Sequence, residues 1–329
     1  MAGPVLVVGA GAAGGYIAAH LERAGEEVVV WEPWAPNAKA VAARGLTLVE
    51  PAGRFQATPR VVPSPAEAVA AAPRLTILCT KLSGADEAVE TLEAAGHRAP
   101  YLVTLNALAD FEMARRLGAE RVMGCIVTGL FAHLVAPGEL HRHRRRGEGA
   151  PSFRLGEVTG GLTPRLAEAT ALLAKVDLSE AVPDLAAARW SKLVFNCMTS
   201  PLSAAHSCAI RDLFLDETLR AQMVEVALEV VRAAMAADVT LDPVCGASRD
   251  AWEDAARGDA SPALDAALVR YGEKLDPKAV SGMAQDLARG RRTEVALING
   301  AAVREAARHG LSAPRNAALV ARIEALSAG

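Results

Sequence analysis

Four apolar residues, Val5–Val8, run directly into Gly9, Gly11 and Gly14, and an alanine-rich stretch follows without a break. This order predicts a buried strand, a tight turn and the start of a helix. Gly9 permits the turn, Gly11 lets the backbone approach a bound group, and Gly14 lets the helix lie against the strand. A helix start offers unpaired N–H groups and a partial positive charge, which suit a pyrophosphate. A second apolar run, Val28–Trp31, ends in Glu32, where an acid would grip the hydroxyls of an adenosine ribose. The spacing therefore predicts a dinucleotide site at Gly9, Ala10, Gly11, Ala12, Ala13, Gly14 and Glu32.

The chain has 329 residues, more than one ordinary core accommodates, so two domains are expected. A net charge of −3 gives no electrostatic case for nucleic acid. The basic run at 141–146 is the exception, and it is expected to be a solvated loop or hairpin, with a phosphate-contacting patch as the alternative. The five cysteines form no C-x-x-C pair and are odd in number. That argues against a disulfide framework or a zinc site and for a reducing, cytoplasmic setting. No metal site is expected. No membrane span is expected either, because no sufficiently long apolar run occurs outside the alanine-rich helices. The start of the chain lacks the pattern of a signal peptide.

The first half alternates strand-like and helix-like runs. Strands are predicted at 5–8, 27–32, 75–80 and 101–105, and helices at 12–24, 38–44, 65–71 and 85–94. A hairpin is predicted from 46–50 and 55–60, and further strands at 122–128, 138–143 and 152–155. Alternation of this kind means a parallel sheet with helices on both faces. From Pro164 onward the pattern becomes helical, at 166–173, 185–198, 216–236, 263–271 and 292–308, with Gly310 as a cap and Pro314 as a stop. The stretch 176–182 reads as a last strand, and the domains are divided as 1–183 and 184–329.

Polar groups gather at four places. Lys81 follows the apolar strand that ends at Cys79, and Asn106 follows the next strand, so both fall where parallel sheets bind ligands. Either could equally be an ordinary loop residue. Lys192, Asn196 and Ser200 recur every four residues, so they share one face of an otherwise apolar helix. A solvent-facing stripe usually carries several charges, whereas one lysine and two small neutral groups suit a ligand-lined wall. A partly desolvated lysine there is a candidate proton donor. The last place runs from Ser281 to Asn299-Gly300, in which Glu294 leads an apolar helix, either as a functional acid or as a partner of the helix dipole.

Together these blocks resemble the ketopantoate reductase family across nearly the whole chain. The resemblance rests on the glycine loop, Lys81, Leu105-Asn106 with Glu112, and Pro137-Gly138. It continues through Trp190-Ser191-Lys192-Leu193 with Asn196, Pro201-Leu202, Met283-Ala284-Gln285-Asp286, Arg292-Thr293-Glu294 and Asn299-Gly300. It implies an α/β Rossmann-type N-terminal domain and an all-α C-terminal domain of 6-phosphogluconate-dehydrogenase-like arrangement. It also implies a cleft that holds a nicotinamide cofactor and a small-molecule 2-oxo acid, with a homodimer as a candidate assembly. By resemblance Lys192 is the general acid and Glu294 its helper, in contact with cofactor and substrate. Lys81, Asn106 and Asn196 surround substrate and nicotinamide, with Ser200 and Ser281 on the substrate side.

Several positions depart from the family pattern. Many relatives end the second strand with a small residue and then arginine, suited to a 2′-phosphate; here Glu32 and Pro33 stand there. Glu32 favours NAD(H), whereas the resemblance implies NADP(H). Ala107 replaces a common glycine, Ser200 a common asparagine, and Gly282 a common serine, with Ser281 one place away. The leading expectation is reduction of 2-dehydropantoate to pantoate. The alternatives are a mandelate-type or other branched or aromatic 2-hydroxy acid dehydrogenase, and a dinucleotide-binding redox sensor without turnover.

Overall fold

The computed structural model describes residues 3–130, 132–259 and 262–328. Its elements run β1 (Val5–Val8), α1 (Ala12–Arg23), β2 (Val28–Trp31), α2 (Ala35–Arg44), β3 (Leu46–Glu50), β4 (Gly53–Ala57), β5 (Arg60–Val62), α3 (Pro65–Ala70), β6 (Leu75–Leu78), α4 (Ala85–Ala94), β7 (Tyr101–Val103), α5 (Ala109–Leu117) and β8 (Val122–Val127). They continue with β9 (Ala132–Ala136), β10 (Glu139–Arg142), β11 (Phe153–Glu157), α6 (Pro164–Ala174), β12 (Ser179–Ala181), α7 (Leu185–His206), α8 (Ile210–Leu215), α9 (Glu217–Ala236), α10 (Arg249–Arg257), α11 (Pro262–Glu273), α12 (Gly282–Ala288), α13 (Val295–Arg308) and α14 (Pro314–Ala328). Two compact units result, residues 1–185 and 186–329.

In the first unit the main sheet has the order β12-β11-β8-β7-β6-β1-β2-β5. Its central pairs are parallel, and β8 with β11 is antiparallel. Side chains alternate across the sheet. Val5 and Val7 join Ile17 and Leu21 in one core, while Leu6 and Val8 join Leu78, Val89 and Leu92 in the other. Burial on both faces explains why these strands read as unbroken apolar runs. A smaller sheet, β4-β3-β10-β9, covers the outer side of α1, so Leu48 and Leu140 share the core of Ile17. α1 is thus buried on two sides, and a Cβ at Gly15 would stand 3.1 Å from Leu140 Cδ1.

Three local expectations change here. The hairpin arm stops at Ala57, because Pro59 cannot donate to a ladder, and β5 crosses into the main sheet beside β2. β9 was not anticipated: its residues are apolar apart from His133 and so show no strand alternation, and it lies largely exposed at the edge of the sheet. The basic run is not uniformly solvated. Arg142 is buried, donating to Asp177 Oδ2 and to the Tyr16 hydroxyl. Ser152 Oγ and the N–H groups of Gly147 and Leu178 also donate to Asp177, each at 2.8 Å.

The second unit is helical. α7 does not stop at Met198 but runs through Pro201 to His206. Pro201 lacks the N–H that would bond the Cys197 carbonyl four residues back. Asn299 Nδ2 of α13 donates to that carbonyl instead, at 3.1 Å. Asn299 also donates to Asn316 Oδ1 at 2.9 Å, and Asn316 Nδ2 donates to Glu229 Oε2 at 2.8 Å. Glu229 further accepts the N–H groups of Arg315 and Asn316, so a buried acid caps the start of α14. Pro314, expected as a stop, is the first residue of that helix, where its missing N–H costs nothing. α8, α10 and α12 were not anticipated, because helices of six to nine residues span too few turns to show a period.

Burial raises the Asp177 carboxyl, but the Gly147, Leu178, Ser152 and Arg142 donors outweigh it and hold the group below its usual range. Its contribution to stability is complete above the unfolded carboxyl range near about pH 4 and is lost as pH falls through the lower folded value. Asp177→Asn, which leaves Arg142 buried without its anion, is expected to cost about 3 kcal/mol at pH 7 in urea denaturation. Its deficit against wild type is expected to shrink as pH falls below the usual carboxylate range and through the lower folded value.

Candidate functional site

The C-terminal edge of the main sheet collects residues from four strands. Cys79 N–H donates to Val8 O at 2.8 Å, Gly9 N–H to Trp31 O at 2.8 Å, and Thr104 N–H to Leu78 O at 3.1 Å. Neighbouring strand ends therefore set out Glu32, Gly9, Thr80-Lys81 and Asn106 in that order along one edge. The chain leaves β1 toward β2 on one side and meets β6 on the other, which is the switch point where open α/β sheets bind ligands.

The loop glycines are fixed by contact. Gly9 has φ +87°, and a Cβ on Gly14 would lie 1.9 Å from Gly9 O and 2.7 Å from Cys79 Cβ. Any side chain at Gly14 would push α1 off β1. A Cβ on Gly11 would meet nothing within 4 Å, so the space over the loop is open. Gly11 caps α1 without a side-chain hydrogen bond. Thr80 Oγ1, beside Gly9, is buried without a hydrogen-bond partner among the described residues. An uncapped helix start, open space and an unpaired hydroxyl fit a dinucleotide pyrophosphate at Gly11, Ala12 and Ala13. Ala10 differs from expectation: its N–H donates to Glu32 Oε2 at 2.7 Å and so acts through that acid.

Glu32 is half-buried and accepts two further donors, Trp34 N–H at 2.8 Å and Asn37 Nδ2 at 2.9 Å. Asn37 was not singled out from the sequence, where it is one amide in an alanine-rich helix. Lys81 is exposed and Asn106 half-buried. Ala107, next to Asn106, is buried with φ +56°, a left-handed conformation that a glycine adopts freely. The turn therefore has the geometry that a glycine would adopt, with alanine in its place. Cys79 accepts the Thr104 hydroxyl at 3.3 Å, and burial pushes its thiol up to about 12, an inert state.

In the second unit Lys192, Asn196 and Ser200 are half-buried along α7, while Leu193, Val194, Cys197 and Met198 are buried. This is the polar stripe that the four-residue spacing predicts. Glu294 is half-buried at the N-cap of α13, with no side-chain capping bond. Ser281 is placed differently from expectation. It is buried, its hydroxyl caps α12 by accepting Ala284 N–H at 3.1 Å, and it donates to Ser200 O at 3.0 Å. It fastens α12 to α7 rather than facing open space. Among the described residues no group of three or more His, Cys, Asp or Glu could hold a metal ion. No described helix is long and apolar enough to cross a membrane.

A Rossmann-type sheet with a ligand-ready glycine loop, joined to a helical unit with a lysine-bearing stripe, defines an oxidoreductase of the nicotinamide-dinucleotide class. The profile described as "Ketopantoate reductase PanE/ApbA" matches residues 5–153, and that described as "Ketopantoate reductase PanE/ApbA C terminal" matches 184–327. The chain belongs to the ketopantoate reductase family. The 2-dehydropantoate 2-reductase of Caulobacter vibrioides is 26% identical over 333 residues, covering 98% of both chains. The crystal structure of a PanE/ApbA family ketopantoate reductase from Ralstonia eutropha JMP134 has a TM-score of 0.80 at 27% identity, covering 99% of this chain and 98% of that one. D-mandelate dehydrogenase, solved with NADH and anilino(oxo)acetate, shares the fold with a TM-score of 0.75 at 18% identity, covering 98% of each chain.

Relief of the left-handed strain at Ala107 is partly offset by the greater freedom of glycine in the unfolded chain. Ala107→Gly is therefore expected to raise stability by about 0.5–1 kcal/mol in urea denaturation.

Proposed function

We propose that this chain reduces a 2-oxo acid to the 2-hydroxy acid with a nicotinamide cofactor, 2-dehydropantoate to pantoate being the leading substrate. The observation that carries this is the half-buried Lys192–Asn196–Ser200 stripe on the otherwise apolar α7. In this division of labour residues 1–183 bind the dinucleotide and 184–329 bind and protonate the substrate. When bound, the reduced nicotinamide supplies a hydride to the ketone carbon. Negative charge then grows on the carbonyl oxygen, and the Lys192 ammonium stabilises it and donates the proton that completes the hydroxyl. Glu294 orients that ammonium. Lys81, Asn106, Asn196 and Ser200 hold the substrate carboxylate and the nicotinamide end, while Ser281 keeps α12 against Ser200.

The cofactor is NADH in preference to NADPH. The Glu32 carboxylate repels a 2′-phosphate and retains an acceptor for ribose hydroxyls. Trp34, 49% exposed two residues on, offers a face for the adenine. The setting is the reducing cytoplasm, in keeping with five free cysteines. A second reading is favoured by Ser200 and Gly282, which stand where relatives often carry asparagine and serine: the substrate is another branched or aromatic 2-oxo acid.

Two measurements test this. Loss of NADH absorbance across a panel of 2-oxo acids is expected to show turnover that Lys192→Ala lowers by about 10²-fold or more in kcat. Unchanged turnover in that variant would remove Lys192 from its role, and no turnover with any acid would leave a dinucleotide sensor. With the preferred acid, kcat/KM is expected to be higher with NADH than with NADPH; the reverse order would overturn the assignment to Glu32.

A further inference from the structure

Glu32 has an unusual set of partners for a site expected to handle anions. Three N–H donors converge on its carboxylate: Ala10 N–H at 2.7 Å, Trp34 N–H at 2.8 Å and Asn37 Nδ2 at 2.9 Å. No arginine or lysine is among them. Two of the donors belong to helix starts, since Ala10 immediately precedes the cap of α1 and Trp34 is the cap of α2. Both helix dipoles therefore favour negative charge at this point.

Asn37 is what makes the cluster rigid. It is fully buried, and every one of its polar atoms is used. Its Nδ2 donates both to Glu32 and to Ala10 O, the latter at 3.0 Å, and its Oδ1 accepts Gly138 N–H at 2.8 Å. Gly138 has φ +77° and turns the chain between β9 and β10. One amide therefore ties the glycine loop, the acid at the end of β2 and the second sheet together.

We propose that Ala10, Trp34 and Asn37 form an anion cradle that the chain fills with its own carboxylate, and that Asn37 is the positioning residue through which Glu32 sets the specificity of the adenosine end. Glu32 stands in place of an external phosphate, and the cradle holds it in one orientation toward the ribose hydroxyls. The site is thus set against a 2′-phosphate twice, by charge and by occupation of the donors that such a phosphate would need. This rests on the NADH assignment above and adds how it is enforced. It also implies that shortening residue 32 does more than remove repulsion, because it releases three aligned donors.

Calorimetric titration with 5′-AMP and 2′,5′-ADP tests this without turnover. Wild type is expected to bind 5′-AMP more tightly than 2′,5′-ADP. Glu32→Ala is expected to shift that ratio by about tenfold or more toward 2′,5′-ADP. Glu32→Ala with Asn37→Ala is expected to lose most of the gain, and Asn37→Ala alone to weaken 5′-AMP. Where thermal melting shows that the alanine variant has not folded, Asn37→Asp replaces it, keeping the acceptor for Gly138 N–H but losing both donors. An unchanged ratio in Glu32→Ala, or a gain undiminished in the double variant, overturns the cradle. A wild type that prefers 2′,5′-ADP overturns the NADH assignment instead.

Discussion

The first unit depends on how closely a helix can approach a strand at Gly9 and Gly14. With a would-be Cβ at 1.9 Å from a carbonyl oxygen, the contact admits no side chain. That approach seats α1 over β1 and buries Tyr16, Ile17 and Leu21 between two sheets. It also points the start of α1 at the open space over Gly11. Core packing and ligand geometry are consequences of one backbone contact, so neither can change without the other.

The buried polar groups around this contact act as connectors. Asn37 joins loop, acid and second sheet, and Arg142 with Asp177 joins β10 to the segment before β12. Such groups contribute modest net stability, since desolvation offsets much of their attraction, but they exclude alternative arrangements because an unpaired member is costly. Asn299 does the same in the helical unit. From within α13 its Nδ2 satisfies the carbonyl that Pro201 leaves open on α7. Thus α7 continues past a proline and carries Lys192, Asn196 and Ser200 on one uninterrupted helix.

Much of the site was legible because its signals are local. A glycine spacing, an acid at a strand end and a four-residue polar repeat depend only on neighbours in the chain. The positions that were not legible depend on distant partners. Asn37 is distinguished by Gly138, which lies about a hundred residues later, and Ser281 by Ser200 O. The exposed edge strand β9 shows no apolar–polar alternation, and the short helices α8, α10 and α12 span too few turns to declare a period.

The sequence by itself determined the strand–glycine–helix opening, the parallel alternation, the change to helices after Pro164 and the polar stripe of α7. All of these follow from periodicity and from what glycine permits. Tertiary structure alone decided that β5 leaves its hairpin for the main sheet, that Arg142 is buried, and that Ala107 keeps a left-handed turn. It also decided that the Glu32 carboxylate is held by three N–H groups. The physical reason is common to these cases: a hydrogen-bond partner or a packing surface remote in sequence overrides local preference, and no local pattern encodes where that partner will be.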